Sequence, residues 1–453
     1  MTTTRLRTLP LKTILAASLS LIGGGALAQT ATETELARRL DQLATELAAV
    51  KAQLAQMQQQ RAAAPLTPAM PAVAAAPEFG APVAAAQPGT GAAPGAVLTT
   101  KSEPSGPATV LTSYGEITYN RTTRATQNTQ ADMARFVLGY EHRFDARTKV
   151  VTELEVEHAV SSADDAGEVE VEQAYVEYQI TPNLAVQGGL FLVPVGLLNG
   201  NHEPTAYYGV NRNFVETAII PTTWREGGFQ LVGTFDNGIT LQGGITTTFD
   251  LTKWDASSSE GLESPLGSIH QELSLAKAHD LAGFGTVNWR GIPGLQLGGS
   301  IFSSQAMQGQ SAEQARITLW ELHGRWTPGR WDFQSLYSRG TISNTAALNM
   351  PLAGNPTLIP ETFDGFYVLG AYKLWTHEDF ALSPFVRWEQ VNTARSYANL
   401  GPGLTPDAAR TERIVTAGLN LKVTQGVVLK ADYQRFRENS DLNRFSLGLG
   451  WNF

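Results

Sequence analysis

From Val110 to Phe453, apolar and polar side chains alternate in short blocks separated by turn residues, the period-two pattern of strands with one apolar face. The last block is the clearest. Phe445, Leu447, Leu449, Trp451 and Phe453 share one face, and Arg444, Ser446, Gly448, Gly450 and Asn452 share the other. Similar alternation runs through Arg135 to Phe144, Lys149 to Val160, Val169 to Ile180, Ala315 to Trp326, Phe366 to Trp375, Phe385 to Gln390, Ile414 to Lys422 and Val428 to Gln434. The pattern predicts sixteen strands in all.

The connections carry more information than any one strand, because tight turns alternate with long polar loops. Asp145-Ala146-Arg147, Thr181-Pro182-Asn183, Asp236-Asn237-Gly238, Gly291-Ile292-Pro293-Gly294, Thr327-Pro328-Gly329-Arg330, Thr376-His377-Glu378-Asp379 and Thr424-Gln425-Gly426 are rich in turn formers. Longer loops are expected near 121–131, 161–168, 192–222, 250–280, 304–314, 342–362, 391–411 and 438–441. A soluble sandwich has no such sidedness. An even strand number with short connections on one side and long ones on the other is the layout of a bacterial outer-membrane barrel, with the long loops outside. Tyr140, Phe144, Trp289, Trp326, Trp375, Trp388 and Trp451, near strand ends, suit its interfacial girdles.

The N-terminal quarter reads differently. Arg5, Arg7 and Lys12 precede an apolar run from Ile14 to Leu27 that closes on Ala26-Leu27-Ala28, the form of a secretory signal peptide over residues 1–28. Leu36, Leu40, Leu43, Leu47, Val50, Leu54 and Met57 then repeat every three or four residues, the seam of a periplasmic coiled coil over 29–61, with Glu46 and Lys51 spaced for an interhelical ion pair. Residues 62–109 hold 16 Ala, 9 Pro and 5 Gly, a disordered linker. The barrel follows over 110–453. The fold class is therefore all-β: a sixteen-stranded antiparallel transmembrane barrel preceded by a short helical coiled coil and a disordered linker.

Composition narrows the function. The net charge of −9, or −12 without the leader's three cations, disfavours nucleic acid as a partner. With no Cys, disulfides and thiol-ligated metals are excluded, and export without cysteine is compatible with an oxidising compartment. His270 and His279 lack a zinc spacing, so no metal or other cofactor is expected. An enzyme is disfavoured, because His323 with Ser335 or Ser338 is the only nucleophile–base pair that can be constructed, and no nucleophile-elbow signature surrounds it.

The segment Gly189-Leu190-Phe191-Leu192-Val193-Pro194-Val195-Gly196-Leu197-Leu198-Asn199, followed by His202-Glu203-Pro204, Tyr208-Gly209-Val210-Asn211-Arg212-Asn213, Val215-Glu216-Thr217 and Ile219-Ile220-Pro221-Thr222-Thr223-Trp224-Arg225-Glu226-Gly227-Gly228, resembles the phosphate-selective porin O and P family. The coiled coil and linker are not part of the best-known phosphate porins; the layout resembles that of some trimeric dicarboxylate porins. The resemblance implies that the third long loop folds into the lumen and narrows it. Asn199, His202, Glu203, Tyr207, Tyr208, Arg212, Asn213, Glu216, Arg225 and Glu226 would form this constriction, with Arg212 and Arg225 able to meet an anion. The terminal Phe453 resembles the signal read by the barrel-insertion machinery.

If Leu154 and Val156 face lipid, Glu153, Glu155 and Glu157 face the lumen, as do Glu116, Glu141, Glu177, Glu321, Glu389 and Asp432. Inward bases are Arg135, Arg143, Arg325, Lys373, Arg387, Lys422, Lys430 and Arg444. The acids concentrate on early strands and the bases on late ones, giving either a field across the pore or simple pairing between neighbouring strands. Where the phosphate-selective members carry a ladder of bases, this chain mixes signs. The expectation is a homotrimeric outer-membrane porin, embedded in lipid, passing small hydrophilic solutes, phosphate or dicarboxylates among them. The rival is a coiled-coil periplasmic tether or adhesin-like protein anchored by a barrel.

Overall fold

The computed structural model describes residues 107–162 and 165–453. The leader, the coiled coil and nearly all of the linker lie outside the described residues. The strands are β1 Ala108–Thr122, β2 Gln130–Arg143, β3 Thr148–Glu157, β4 Val169–Thr181, β5 Leu184–Leu192, β6 Arg225–Thr234, β7 Ile239–Thr246, β8 Ala282–Ile292 and β9 Leu295–Gln305. They continue with β10 Arg316–Trp326, β11 Trp331–Ile342, β12 Thr362–Tyr372, β13 Trp375–His377, β14 Phe380–Ser396, β15 Glu412–Thr424, β16 Val427–Phe436 and β17 Arg444–Asn452. The short β13 continues β12 along the same edge of β14, so the wall has sixteen staves.

Every strand pairs antiparallel with its neighbours, and β1 closes on β17 in a register running from Tyr114 opposite Asn452 to Thr122 opposite Arg444. Closure leaves no open sheet edge, which a strand protein in hydrocarbon requires because lipid cannot satisfy free N–H and C=O groups. Ser113 and Phe453 extend the seam by exchanging both backbone hydrogen bonds, at 3.1 and 2.9 Å.

The expected alternation of connections is present. In one tight turn Asp145 accepts from the backbone N–H groups of Arg147 and Thr148, both at 2.8 Å. In another, Gly238 has φ +84°, and a Cβ there would lie 2.5 Å from the Gly291 nitrogen, so only glycine fits. Outward positions are large and apolar, including Leu138, Leu154, Leu322 and Leu419, all more than 40% exposed. Such a continuous belt fits lipid as its burying medium. Trp326, Trp331, Phe333 and Trp375 lie exposed at the tight-turn end, where Trp331 stacks on Phe333 at 5.4 Å. Among the expected girdle residues, Tyr140 and Phe144 are also exposed, while Trp289, Trp388 and Trp451 are half-buried.

Register shifts interrupt the pairing on several strands, and two of them shape the wall around the loops. In β4 the register moves from Glu153 opposite Gln173 to Leu154 opposite Val171, leaving Glu172 as the extra residue of a β-bulge. The bulge reverses the phase, so Glu170, Glu172 and Glu177 all point inward. β14 runs six residues past Gln390 to Ser396, because an irregular pairing with Thr362 carries it through the polar stretch after Val391.

The expectation that a polar strand face lines the whole channel needs correction. On β8 to β14 many inward residues are apolar, among them Phe284, Phe302, Ile317, Leu319, Leu336, Phe363 and Tyr367. Loop 247–281 covers them with Phe249, Leu251, Leu266 and Ile269, and loop 193–224 adds Val215, Ile219, Ile220 and Trp224. Trp224 sits at the centre of this core, 4.5 Å from the Phe302 ring and 5.2 Å from that of Phe249. A polar lining remains on the other strands and in the turn-side half.

Candidate pore constriction and wall

Loop 193–224 leaves β5 and returns to β6, and its two ends are tied by Asn199. The Asn199 amide donates to the carbonyls of Val193 and Trp224 at 2.7 and 2.8 Å, and its oxygen accepts from the Trp224 backbone N–H at 2.7 Å. Midway, the buried Glu216 gathers the backbone N–H groups of Leu197 and Leu198, the Asn213 amide and the Tyr367 hydroxyl. Gly196, at φ +81°, allows this approach: a Cβ there would sit 2.5 Å from the Glu216 carboxylate.

The loop then reaches strands far from its roots. Tyr207 donates to Glu116 on β1 at 2.7 Å, and Tyr208 to Asp332 on β11 at 3.0 Å. Asp432 on β16 accepts from the Val210 N–H at 2.6 Å, and Glu389 on β14 from the Phe214 N–H at 2.8 Å. Arg387 holds the carbonyls of Asn211 and Arg212, Lys430 lies 3.6 Å above the Tyr207 ring, and Asn452 donates to Glu203 at 2.6 Å. The segment therefore crosses the barrel interior. On the long-loop side it leaves a chamber of about 360 Å³ bordered by Glu116, Arg135, Glu157, Tyr207, Arg212 and Arg444. On the turn side lies a larger one, about 700 Å³.

His202 supplies a further anchor. Its Nε2 is 2.6 Å from Glu172, which also accepts from Tyr114, while Nδ1 faces the Asn199 carbonyl at 2.8 Å. Burial alone would push the imidazole pKa down, but the adjacent Glu172 carboxylate holds it above its ordinary value. The Nε2 also lies 2.7 Å from the Tyr114 hydroxyl, so both ring nitrogens are engaged.

The two candidate anion-binding arginines differ. Arg225 is buried against Glu170 and, at 3.0 Å, Glu272, so its charge is neutralised internally. Among the described residues, Arg212 donates only to the hydroxyls of Thr222 and Thr223, and it borders the loop-side chamber. Glu226 is buried, accepting from Thr247 and Trp224.

Along the wall, neighbouring charges pair: Arg135 with Glu116 at 2.9 Å, Lys149 with Glu141 at 3.1 Å, Arg325 with Asp332 at 2.6 Å and Arg387 with Glu389 at 2.9 Å. Glu153 instead takes a hydrogen bond from Gln173, and Glu155 is buried beside the bulge. Arg444 meets Gln434 rather than an acid. His323 engages Glu321 and Asn288, each at 2.9 Å, while Ser338 donates to a backbone carbonyl. Glu170, Glu172, Tyr114 and Glu272 belong to the site although the sequence did not point to them. The first two were hidden by the bulge, and the last lies in a distant loop.

No protein-family model matches the chain. An uncharacterised protein of Aquifex aeolicus is 28% identical over 351 residues, covering 75% of this chain and 79% of that protein. Among solved structures, the outer-membrane channel DcaP of Acinetobacter baumannii superposes with a TM-score of 0.51 at 12% identity, over 78% of this chain and 99% of that one. OmpF of Salmonella typhi, solved with daunomycin, gives 0.50 at 12% identity over 76% and 97%. The fold is that of the outer-membrane porins.

Proposed function

We propose that this protein is a passive, non-enzymatic outer-membrane porin for small hydrophilic solutes, with loop 193–224 as its constriction. The observation that carries the reading is the crossing of a closed, lipid-faced barrel by this one loop, with a polar chamber on each side of it. The constriction is held by the wall through Glu116, Glu172, Asp332, Glu389 and Asp432, so it is a fixed restriction rather than a swinging gate. Arg212, bordering the loop-side chamber without an acidic partner among the described residues, gives a mild preference for anions, phosphate and dicarboxylates included. Glu157 on β3 and Arg444 on β17 border the same chamber and add a field across it, while Glu155 and Lys430 are buried away from it.

The chain acts as a homotrimer, its heptad seam from Leu36 to Met57 joining three copies in the periplasm. Ion current through planar bilayers tests the channel, and chemical crosslinking before and after deletion of residues 29–61 tests the trimer. A deletion variant that still crosslinks fully as a trimer would remove the coiled coil's role.

A further inference from the structure

The turn-side chamber has a lining that ion passage does not explain. In the turn-side half of the wall, five consecutive strands each turn a carboxamide inward, stepping toward the turns from one strand to the next: Gln187 on β5, Gln230 on β6, Gln242 on β7, Asn288 on β8 and Gln296 on β9. Gln187 and Gln230 are directly opposite in register and bonded at 2.6 Å, and Gln296 donates to Asn288 at 3.0 Å. The belt is incompletely satisfied. Gln230 Oε1 is buried without a partner, and Gln242 makes no side-chain hydrogen bond among the described residues.

A carboxamide presents donors and an acceptor side by side and carries no charge. Five in a row form a strip that exchanges hydrogen bonds with any solute bearing several hydroxyls, and it gives an ion no net attraction. Of the charges beside the strip, Lys149 lies 3.1 Å from Glu141 and Arg325 2.6 Å from Asp332, while Glu177 accepts from Gln187 at 2.7 Å and Arg290 donates to Gln296 at 3.0 Å, so the two ends of the strip are bonded to charged groups and its middle members, Gln230 and Gln242, are the ones left to a solute. The half-buried Tyr175 also lines the chamber and offers an apolar ring face to the C–H side of such a solute.

We infer that the turn-side chamber is a subsite for neutral polyhydroxylated solutes, small sugars or polyols, held by the carboxamide belt from Gln187 to Gln296. This rests on the porin reading and gives the pore two unlike chambers: one bordered by Arg212 and Arg444, the other by a run of amides set between Glu177 and Arg290.

The test is ion current through the full-length protein in planar bilayers, with maltose titrated against succinate and phosphate. The expected result is saturable block by maltose. In the Gln187→Ala, Gln230→Ala, Gln242→Ala triple variant, half-block should need at least tenfold more maltose while ion conductance is retained. Gln242→Ala alone, at a position without side-chain bonds to lose, should raise that concentration severalfold and serves if the triple variant does not insert. Current that maltose lowers only in proportion to solution viscosity, or block unchanged in Gln242→Ala, would overturn the sugar subsite and leave the porin standing. Absence of any ion current would overturn the porin reading and this inference with it.

Discussion

His202 of the crossing loop and Glu172 of β4 face each other at 2.6 Å, both buried, and the contact exists because a single extra residue in β4 turns Glu172 inward. A local irregularity of the wall thereby becomes an anchor for the crossing loop. Removing one partner of a buried pair strands the other charge, at a cost of about 3–5 kcal/mol. Glu172→Ala should lower thermal stability in detergent by that order and make single-channel current noisier as the loop loosens. Unchanged melting and quiet current would show that the pair anchors nothing.

The same pair sets a pH dependence. The His202 pKa is raised in the fold, so the stabilisation is complete below the ordinary imidazole value of about 6.5 and is lost as pH rises through the raised value. Melting temperature should fall across that alkaline window in the native protein. In Glu172→Gln, which keeps the shape and removes the charge, the fall should be much reduced. An equal fall in both would assign the effect to another group.

Asn199 makes three hydrogen bonds to the two ends of its own loop. At about 1 kcal/mol each, Asn199→Ala should cost about 2–4 kcal/mol. Limited trypsin digestion should then cut after Arg212, a position the native loop protects. Resistance equal to the native protein would contradict the stapling role.

Arg212 and Arg225 should separate in function. Arg212→Ala is expected to shift the reversal potential under a salt gradient toward cation preference. Arg225→Ala should leave it nearly unchanged while destabilising the protein by about 2–3 kcal/mol, since Glu170 and Glu272 would lose their shared cation and both are about a quarter exposed. A selectivity shift in Arg225→Ala without loss of stability would reverse these assignments.

Trp224 fills the space between Phe249 and Phe302. Trp224→Ala should cost about 3–5 kcal/mol, read as a lower unfolding temperature of the purified barrel. It also carries a functional expectation, because this core pins the returning end of the loop: conductance should rise. Normal stability and conductance would show that the apolar inner wall is not what seats the loop.

Much of the barrel was legible because lipid and lumen impose opposite polarities on successive residues, as from Arg444 to Asn452, and because Asp145, Asn237-Gly238 and Pro328-Gly329 mark one end of it. The bulge at Glu172 was not, since Val169 to Ile180 reads equally well without an extra residue and only pairing with β3 reveals it. The apolar inner wall was also hidden. Ile317 and Leu319 face loops and Leu322 faces outward, yet all three are simply apolar in the sequence, and which surface covers each depends on loops 193–224 and 247–281. Arg225 looked like an anion ligand because its partners, Glu170 and Glu272, lie 55 residues before and 47 after it.

The proposed pore is open and narrowed by the third long loop. Single-channel current across a planar bilayer, compared between the native protein and a variant with residues 200–222 replaced by a short Gly-Ser linker, tests it most directly. Steady current is expected from the native protein, and severalfold larger, less selective current from the variant. Equal conductance in the two would contradict the constriction, and no current from either would contradict the pore.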